Sequence, residues 1–287
     1  MRRERSLATS AIARDTPEPP RISGEDIARS ARRRDLLLRW FWRIMGYVVV
    51  VGVWEYASGG LMDEELLPSP TKVLATFEEI WRSGAMPAAF QATLTRIGVG
   101  FTLAFIVGAM IGVLMQNRWL AGFFKDAVVI GVTTPGLIWA LITAIIFGNR
   151  TTGPLIAVVV TTFAIVTVNV SEGVKSLPKD LIDMSKAFQV GVMKRNRHIV
   201  IPHLAPFLFT GVRFGFSIAW KIVVLTEVFS SSEGIGFEMR TASQLFRLDE
   251  FLTWILAFYA LALFLEKVVL EQLEARFFRW RREITAA

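Results

Sequence analysis

Four ionisable residues lie inside long apolar runs of this 287-residue chain: Arg96, Arg213, Lys221 and Glu227. A charge held at the centre of a bilayer costs roughly 2.5 to 3.5 kcal/mol on insertion scales, so a deep one should face a partner, a cavity or a pore. Lys221 is mid-run and is the deepest. Lys221 and Glu227 are six residues apart, about 120° around a helix, and are not expected to pair. Arg96 and Arg213 stand near run ends, where snorkelling to the interface is the expected reading. Thr133-Thr134-Pro135-Gly136 and Asn169 with Thr162 add polar groups inside apolar runs. Thr133, Thr134, Asn169 and Lys221 are the candidate pathway residues, with structural kinking and interhelical hydrogen bonding equally open for the first three.

Reactive chemistry is not expected. There is no Gly-x4-Gly-Lys-Ser/Thr phosphate loop, so any ATP must be hydrolysed by a partner, and there is no His-Glu-x-x-His, EF-hand or nucleophile elbow. Cysteine is absent, which removes thiolate chemistry. His198 and His203 are five apart rather than at metal-ligand spacing, and read as interfacial. We therefore expect no catalytic residue, metal or cofactor.

The elements that must hold these residues follow from composition. The chain is 53% hydrophobic and 20% charged, with mean hydropathy +0.47, which points to an all-α polytopic membrane protein. The net charge of +7 fits cytoplasmic loops and anionic lipid better than nucleic acid, which is not expected as a partner. Residues 1–35 are expected to be a cytoplasmic tail and an amphipathic surface helix capped at Ser23, and residues 36–287 a transmembrane domain. About six spans are expected: Leu36–Ala57, Ile97–Met115, Ala127–Gly148 with a kink at Pro135, Pro154–Glu172, Phe207–Phe229 and Phe251–Leu270. Gly100, Ala104, Gly108 and Gly112 recur every four residues and should let another helix approach closely. Gly211 and Gly215 have the same spacing, for helix packing or a subunit interface. Lys and Arg are concentrated in the tail, the 173–213 segment and the C-terminal arginines, against only Lys72, Arg82, Arg150, Arg240 and Arg247 on the other side, so both termini are expected in the cytoplasm.

Between the fourth and fifth spans, Gly173–Arg213 is too polar to cross a membrane. Ser176-Leu177-Pro178 reads as a helix start. Leu181, Met184 and Phe188 then form one apolar stripe, with Lys179, Asp183 and Lys186 on another side. A second short basic helix carries Lys194, Arg195 and Arg197, and Pro202 and Pro206 punctuate the entry to the fifth span.

This segment resembles the cytoplasmic EAA loop of permease subunits of ATP-binding-cassette importers, which inserts into a groove of the ATPase. Asp183, Met184 and Ser185 stand at the triplet, Gln189 at the family's Gly position and Pro202 at the apolar-Pro end. The triplet keeps only its acid, and Gly191 is the nearest glycine to Gln189, so the break between the helices is expected to move to Gly191 and lengthen the first helix. Leu67-Pro68-Ser69-Pro70, Gly211-Val212-Arg213, Ala219-Trp220-Lys221, Thr226-Glu227-Val228 and Gly234-Ile235-Gly236-Phe237 extend the likeness, from about Leu66 to Arg282, to the nitrate, sulfonate and taurine branch. The resemblance implies a type I importer permease fold in a bacterial-type inner membrane. It also implies that ATPase subunits dock on loop 176–202 at Leu181, Asp183, Met184, Ser185, Phe188, Gln189, Gly191 and Pro202. An extracytoplasmic substrate-binding protein and a second permease copy or homologue are implied as further partners, and a small anion as the substrate. A channel or secondary transporter working without an ATPase is the alternative.

Overall fold

The computed structural model describes residues 24–148 and 152–277, with side chains from residue 34 onward. The tail, the cap expected at Ser23, the turn residues 149–151, and Arg279, Arg281 and Arg282 lie outside the described residues. The chain divides into two units, Met1–Ala57 and Ser58–Ala287. The first contains helix α1, assigned over Gly24–Gly60 but non-helical at Ser58 and Gly59, whose φ of 80° only glycine adopts without strain. From Arg34 to Tyr47 its large side chains, among them Leu37, Trp42 and Tyr47, are exposed within this unit.

The second unit opens with α2, Pro70–Arg82. Ser69 caps it by accepting the Lys72 N–H at 3.3 Å, and Pro70 occupies the first turn, where its missing N–H costs nothing. Four further helices follow: α3 (Ala85–Leu114), α4 (Arg118–Thr133), α5 (Gly136–Phe147) and α6 (Thr152–Lys175). Beyond them come α7 (Lys179–Ala187), α8 (Val192–Arg195), a π-helical turn at Asn196–Val200 and α9 (Ile201–Ser230). The chain then forms α10 (Ile235–Gln244), α11 (Leu248–Phe264), a second π turn at Leu265–Leu270 and α12 (Glu271–Phe277). Five stretches are long and apolar enough to cross a membrane, or six if the bent pair α4–α5 is one span.

Helix α6 is the hub, flanked by α3 and α9. It is apolar all round, and Ala157, Val158, Ala164, Val166 and Val170 are buried. The glycine stripe of α3 explains how close the backbones come. A Cβ on Gly108 would lie 2.5 Å from the Phe163 carbonyl oxygen and 2.8 Å from Val166 Cβ, so only glycine fits. Thr167 seals the contact by donating its hydroxyl to the Gly108 carbonyl at 3.0 Å. Gly211 and Gly215 of α9 also face α6, next to Val166, Asn169 and Thr162, so this glycine pair serves helix packing within the chain rather than a subunit interface.

Three local expectations need correction. The third span is not one kinked helix, because α4 and α5 meet at 102° across Thr134 and Pro135. Thr134 has ψ 124° and Pro135 ψ 137°, since a residue before proline is driven out of the helical region and the proline itself stays extended here. Ser176 does not cap α7; the cap position is Pro178, and the Ser176 hydroxyl bonds the Gly173 carbonyl at 2.9 Å and lies 3.1 Å from His203 Nε2. The second basic helix is not set apart by Pro202. Residues Val192–Ser230 run continuously, with Ile201 N–H bonding Asn196 O, and this wider turn falls just where Pro202 has no N–H to give.

Candidate functional site

Helix α7 is nine residues long and sits between the ends of α6 and α9. Ser185 and half-buried Ile182 turn it inwards, and the Ser185 hydroxyl bonds the Ile182 carbonyl at 2.7 Å. The stripe Leu181, Met184 and Phe188 is turned outwards and left uncovered, with Phe188 77% exposed. Asp183 accepts from Lys186 Nζ at 3.1 Å on the exposed surface, a pair that contributes little by itself.

The turn after α7 overturns the expectation about Gln189. Gln189 itself takes the left-handed conformation, φ 52°, while Gly191 is ordinary at φ −57° and begins α8. The helix does not lengthen; it ends at Ala187. The cause is a pair of backbone hydrogen bonds, Val190 N–H to Ser185 O at 2.8 Å and Gln189 N–H to Lys186 O at 2.9 Å. That closure fixes the turn at the position the helix end dictates, whatever side chain stands there. Pro202 lies in the first turn of α9. The docking candidates Leu181 to Gly191 thus share α7 and its closing turn, while Pro202 lies on the helix that follows.

The pathway candidates are not brought together by hydrogen bonds. Thr133 bonds back to Val129 O, Thr134 ends α4, and Asn169 Nδ2 donates to Ile165 O. Lys221 is exposed on the isolated chain, its Nζ 5.3 Å from the Trp220 ring centroid. Thr162 is buried with its hydroxyl unpartnered.

The structure joins two residues that sequence reasoning kept apart. Arg96 of α3 does not snorkel; it is 2% exposed and its Nη1 bonds Glu227 Oε1 at 2.6 Å. Glu227 of α9 is wholly buried. Its carboxylate also receives the Thr93 hydroxyl, 3.0 and 2.9 Å from its two oxygens, and the Gly236 N–H at 3.1 Å. Thr93 in turn accepts the Ile235 N–H at 3.0 Å. The start of α10 therefore gives the buried carboxylate its Gly236 N–H directly and its Ile235 N–H by way of Thr93, as a helix N-terminus favours. Glycine is obligatory here: Gly234 has φ 104°, and a Cβ on it would fall 2.5 Å from the Glu227 carboxyl carbon. Arg96 reaches further, to the Glu233 carbonyl at 2.9 Å and, through Nη2, to Glu233 Oε1 at 2.7 Å, where Glu233 is 57% exposed. Arg240 ties the other side by donating to Val228 O and Ser231 O at 3.2 and 2.8 Å, among the last carbonyls of α9. Helix α3 is locked to the end of α9 and the start of α10, at least 131 residues away in sequence, by one cation and two carboxylates. Arg213, by contrast, pairs with Glu274 at 2.7 Å on an exposed surface.

This architecture, a glycine-seamed hub with an outward-facing loop helix between its last long helices, can be compared with known proteins. Residues 100–282 match the family described as "Binding-protein-dependent transport system inner membrane component". The chain belongs to that family. The permease is similar to the bicarbonate transport system permease protein CmpB of Synechocystis, 27% identical over 251 residues that cover 82% of this chain and 87% of that protein. It is 25% identical to the taurine transport system permease protein TauC of Escherichia coli over 262 residues, 86% and 95% of the two chains. It is 22% identical to the nitrate import permease protein NrtB of Synechococcus elongatus over 200 residues, 66% and 71% of the two. Its fold is like that of a chain in the inward-facing MetNI methionine ABC transporter, with TM-score 0.56 and 16% identity, covering 66% of the permease and 94% of that chain. The permease is accordingly a multi-pass membrane subunit of an ABC importer, a transport component rather than an enzyme, and an ATPase and a substrate-binding protein are its partners.

Proposed function

We propose that the permease carries a small anion inwards, and that loop 176–202 is where the ATPase grips it. The observation that carries this is the uncovered stripe Leu181, Met184 and Phe188 on a helix that is anchored to the rest of the chain through buried Ser185 and half-buried Ile182. An apolar stripe on a helix too polar to enter the bilayer is the kind of surface a partner's groove covers. Asp183, Ser185, Gln189, Gly191 and Pro202 shape and present it. Nitrate and bicarbonate, and the sulfonate group of zwitterionic taurine, in the names of the relatives, support a small anion or anionic headgroup as cargo. Thr133, Thr134, Asn169 and Lys221 line the pathway, the Lys221 ammonium favouring negative charge. Residues 1–35 are a cytoplasmic region ahead of a permease domain at 36–287, its part from Gly24 on being the first turns of α1 rather than a separate surface helix. Both termini and α7 face the cytoplasm of a bacterial-type inner membrane, and the permease pairs with a second copy or homologue.

The test uses the native absence of cysteine. Single cysteines at Met184 and Phe188 should crosslink to the ATPase, a cysteine at Lys186 should label only from the cytoplasmic side, and Phe188→Ala should lose uptake and permease-stimulated ATP hydrolysis together. If neither position crosslinks and Phe188→Ala transports normally, α7 is not the coupling element. Uptake by the chain without any ATPase would favour a channel or secondary carrier instead.

A further inference from the structure

The side of α7 away from its apolar stripe frames a second feature, of which the docking reading uses only Asp183. A groove of about 480 Å³ runs between α7 and the ends of α3 and α6, within the usual size range of ligand sites. Its charged lining is Lys175, Lys179, Lys186 and Asp183, and Gln116, just beyond α3, closes one end. Asp183 is already committed to Lys186 at 3.1 Å. Lys175 and Lys179 make no ion pair among the described residues, and the nearby acids Glu172 and Asp180 do not line the groove. Two ammonium groups are therefore held beside one recess without a counter-charge. The recess also receives the start of α7, whose first turn has no side-chain cap and so leaves backbone N–H groups available to an acceptor.

We propose that this groove binds a phosphate group, with Lys175 and Lys179 as its cationic ligands and the α7 N-terminus as its backbone donor. Two observations favour the phosphodiester of an anionic phospholipid over a free ion. The groove lies where two membrane-length helices, α3 and α6, come to their ends, which is headgroup depth. Its remaining walls, Val174, Leu177 and Ile182, are apolar and suit a glycerol and the first acyl carbons rather than a hydrated ion. A lipid seated there would brace α7 from behind while the ATPase presses on its stripe. The inference takes from the proposed function only that this end of the bundle meets the cytoplasmic leaflet. Retention of lipid in detergent has no sidedness, so an error in topology would appear in the cysteine labelling and not here.

The experiment is native mass spectrometry of the full permease with its ATPase, purified in detergent with added phosphatidylglycerol. Lys175→Gln/Lys179→Gln should retain at least tenfold less bound lipid than the native protein, and Lys175→Arg/Lys179→Arg should restore it. Lys125→Gln/Lys267→Gln removes the same charge elsewhere and should leave retention unchanged. In a second arm, inorganic phosphate is titrated against ATP hydrolysis in phosphatidylcholine nanodiscs. Lipid lost only from the Gln pair supports the site and assigns the headgroup as its source. No lipid difference, but a phosphate response that the Gln pair abolishes, supports the site with a soluble source. Equal behaviour of the groove and control variants in both arms overturns it.

Discussion

Replacing Arg96 by Met should be among the most damaging single changes available in this permease. The guanidinium is 2% exposed, and its loss leaves the Glu227 carboxylate wholly buried, with only Thr93 and the Gly236 N–H to hold its charge. Removing one member of a buried pair costs about 3–5 kcal/mol, because the remaining charge is uncompensated. The other arm of the network is different in kind. Glu233 is 57% exposed, so Glu233→Gln should cost about 0–1 kcal/mol, and that cost should fade at high salt while the Arg96 effect does not. Glu227→Gln should fall between, since Arg96 keeps Glu233. The combination Arg96→Met/Glu227→Gln removes both buried charges, and should be less destabilised than the sum of the singles by roughly 2 kcal/mol or more. Equilibrium unfolding of the four variants in detergent at two ionic strengths gives all of these values. Additive singles, or equal effects of the Arg96 and Glu233 changes, would refute the claim that the buried half is the lock.

The remaining expectations are smaller and sharper. Gln189→Gly should stabilise the permease by about 0.5–1 kcal/mol: the left-handed conformation costs an L-residue about 1–2 kcal/mol, and the larger unfolded-state freedom of glycine returns part of that. Gly191→Ala, at φ −57° with open space where its Cβ would go, should be close to neutral; the reverse ranking in thermal unfolding would restore Gly191 as the hinge. Lys221→Met should leave folding and ATPase binding intact and lower anion uptake, and unchanged uptake would reduce Lys221 to a packing residue. Burial first, and the Glu250 carboxylate second, hold the Glu238 carboxyl above its ordinary value. Its contribution to stability is therefore fully present below the ordinary carboxylate range and lost as pH rises through the raised value. Unfolding of Glu238→Gln should show a shallower decline across that window, and an identical pH profile would count against the shift.

The hub was legible in the sequence because helix periodicity is a local property. The α3 stripe Gly100, Ala104, Gly108 and Gly112 identifies a close-packing face without knowledge of its partner, and α6 proves to be that partner. The lock was not legible, because Arg96 and Glu227 are 131 residues apart and periodicity carries no information about pairing at that range. A usable signal was present all the same. Glu227 is an acid at the end of one apolar run, Arg96 is a cation at the end of another, and the closely spaced Gly234 and Gly236 mark where backbone comes near. The turn at Gln189 failed for the opposite reason: side-chain preference was allowed to decide a position that two backbone hydrogen bonds at the end of α7 had already set. Phe246 repeats the lesson after α10, with φ 55° and the N–H groups of Phe246 and Arg247 closing on Ser243 O and Ala242 O.

These corrections bear on how force could pass through the permease. Had Gly191 been the break and Pro202 a stop, α7 would hang between soft joints, and movement of a docked ATPase would be absorbed before reaching the spans. Instead α7 begins four residues after the end of α6 and closes with a hydrogen-bonded turn, and the chain is then helical without interruption from Val192 to Ser230. A load on Leu181, Met184 and Phe188 therefore reaches α6 through one short link and α9 through a continuous helix. At the far end of α9 the Arg96, Glu227 and Glu233 network fastens α3 and the start of α10 to the same body. The sharp break lies elsewhere, at Thr134–Pro135 between α4 and α5: the Thr134 N–H still closes α4 on Ile130 O at 3.0 Å, but both residues have extended ψ and Pro135 has no N–H to carry the helix on. The arrangement favours α3, α6, α9 and α10 moving as one unit driven from α7, with the α4–α5 corner as the place where the chain yields.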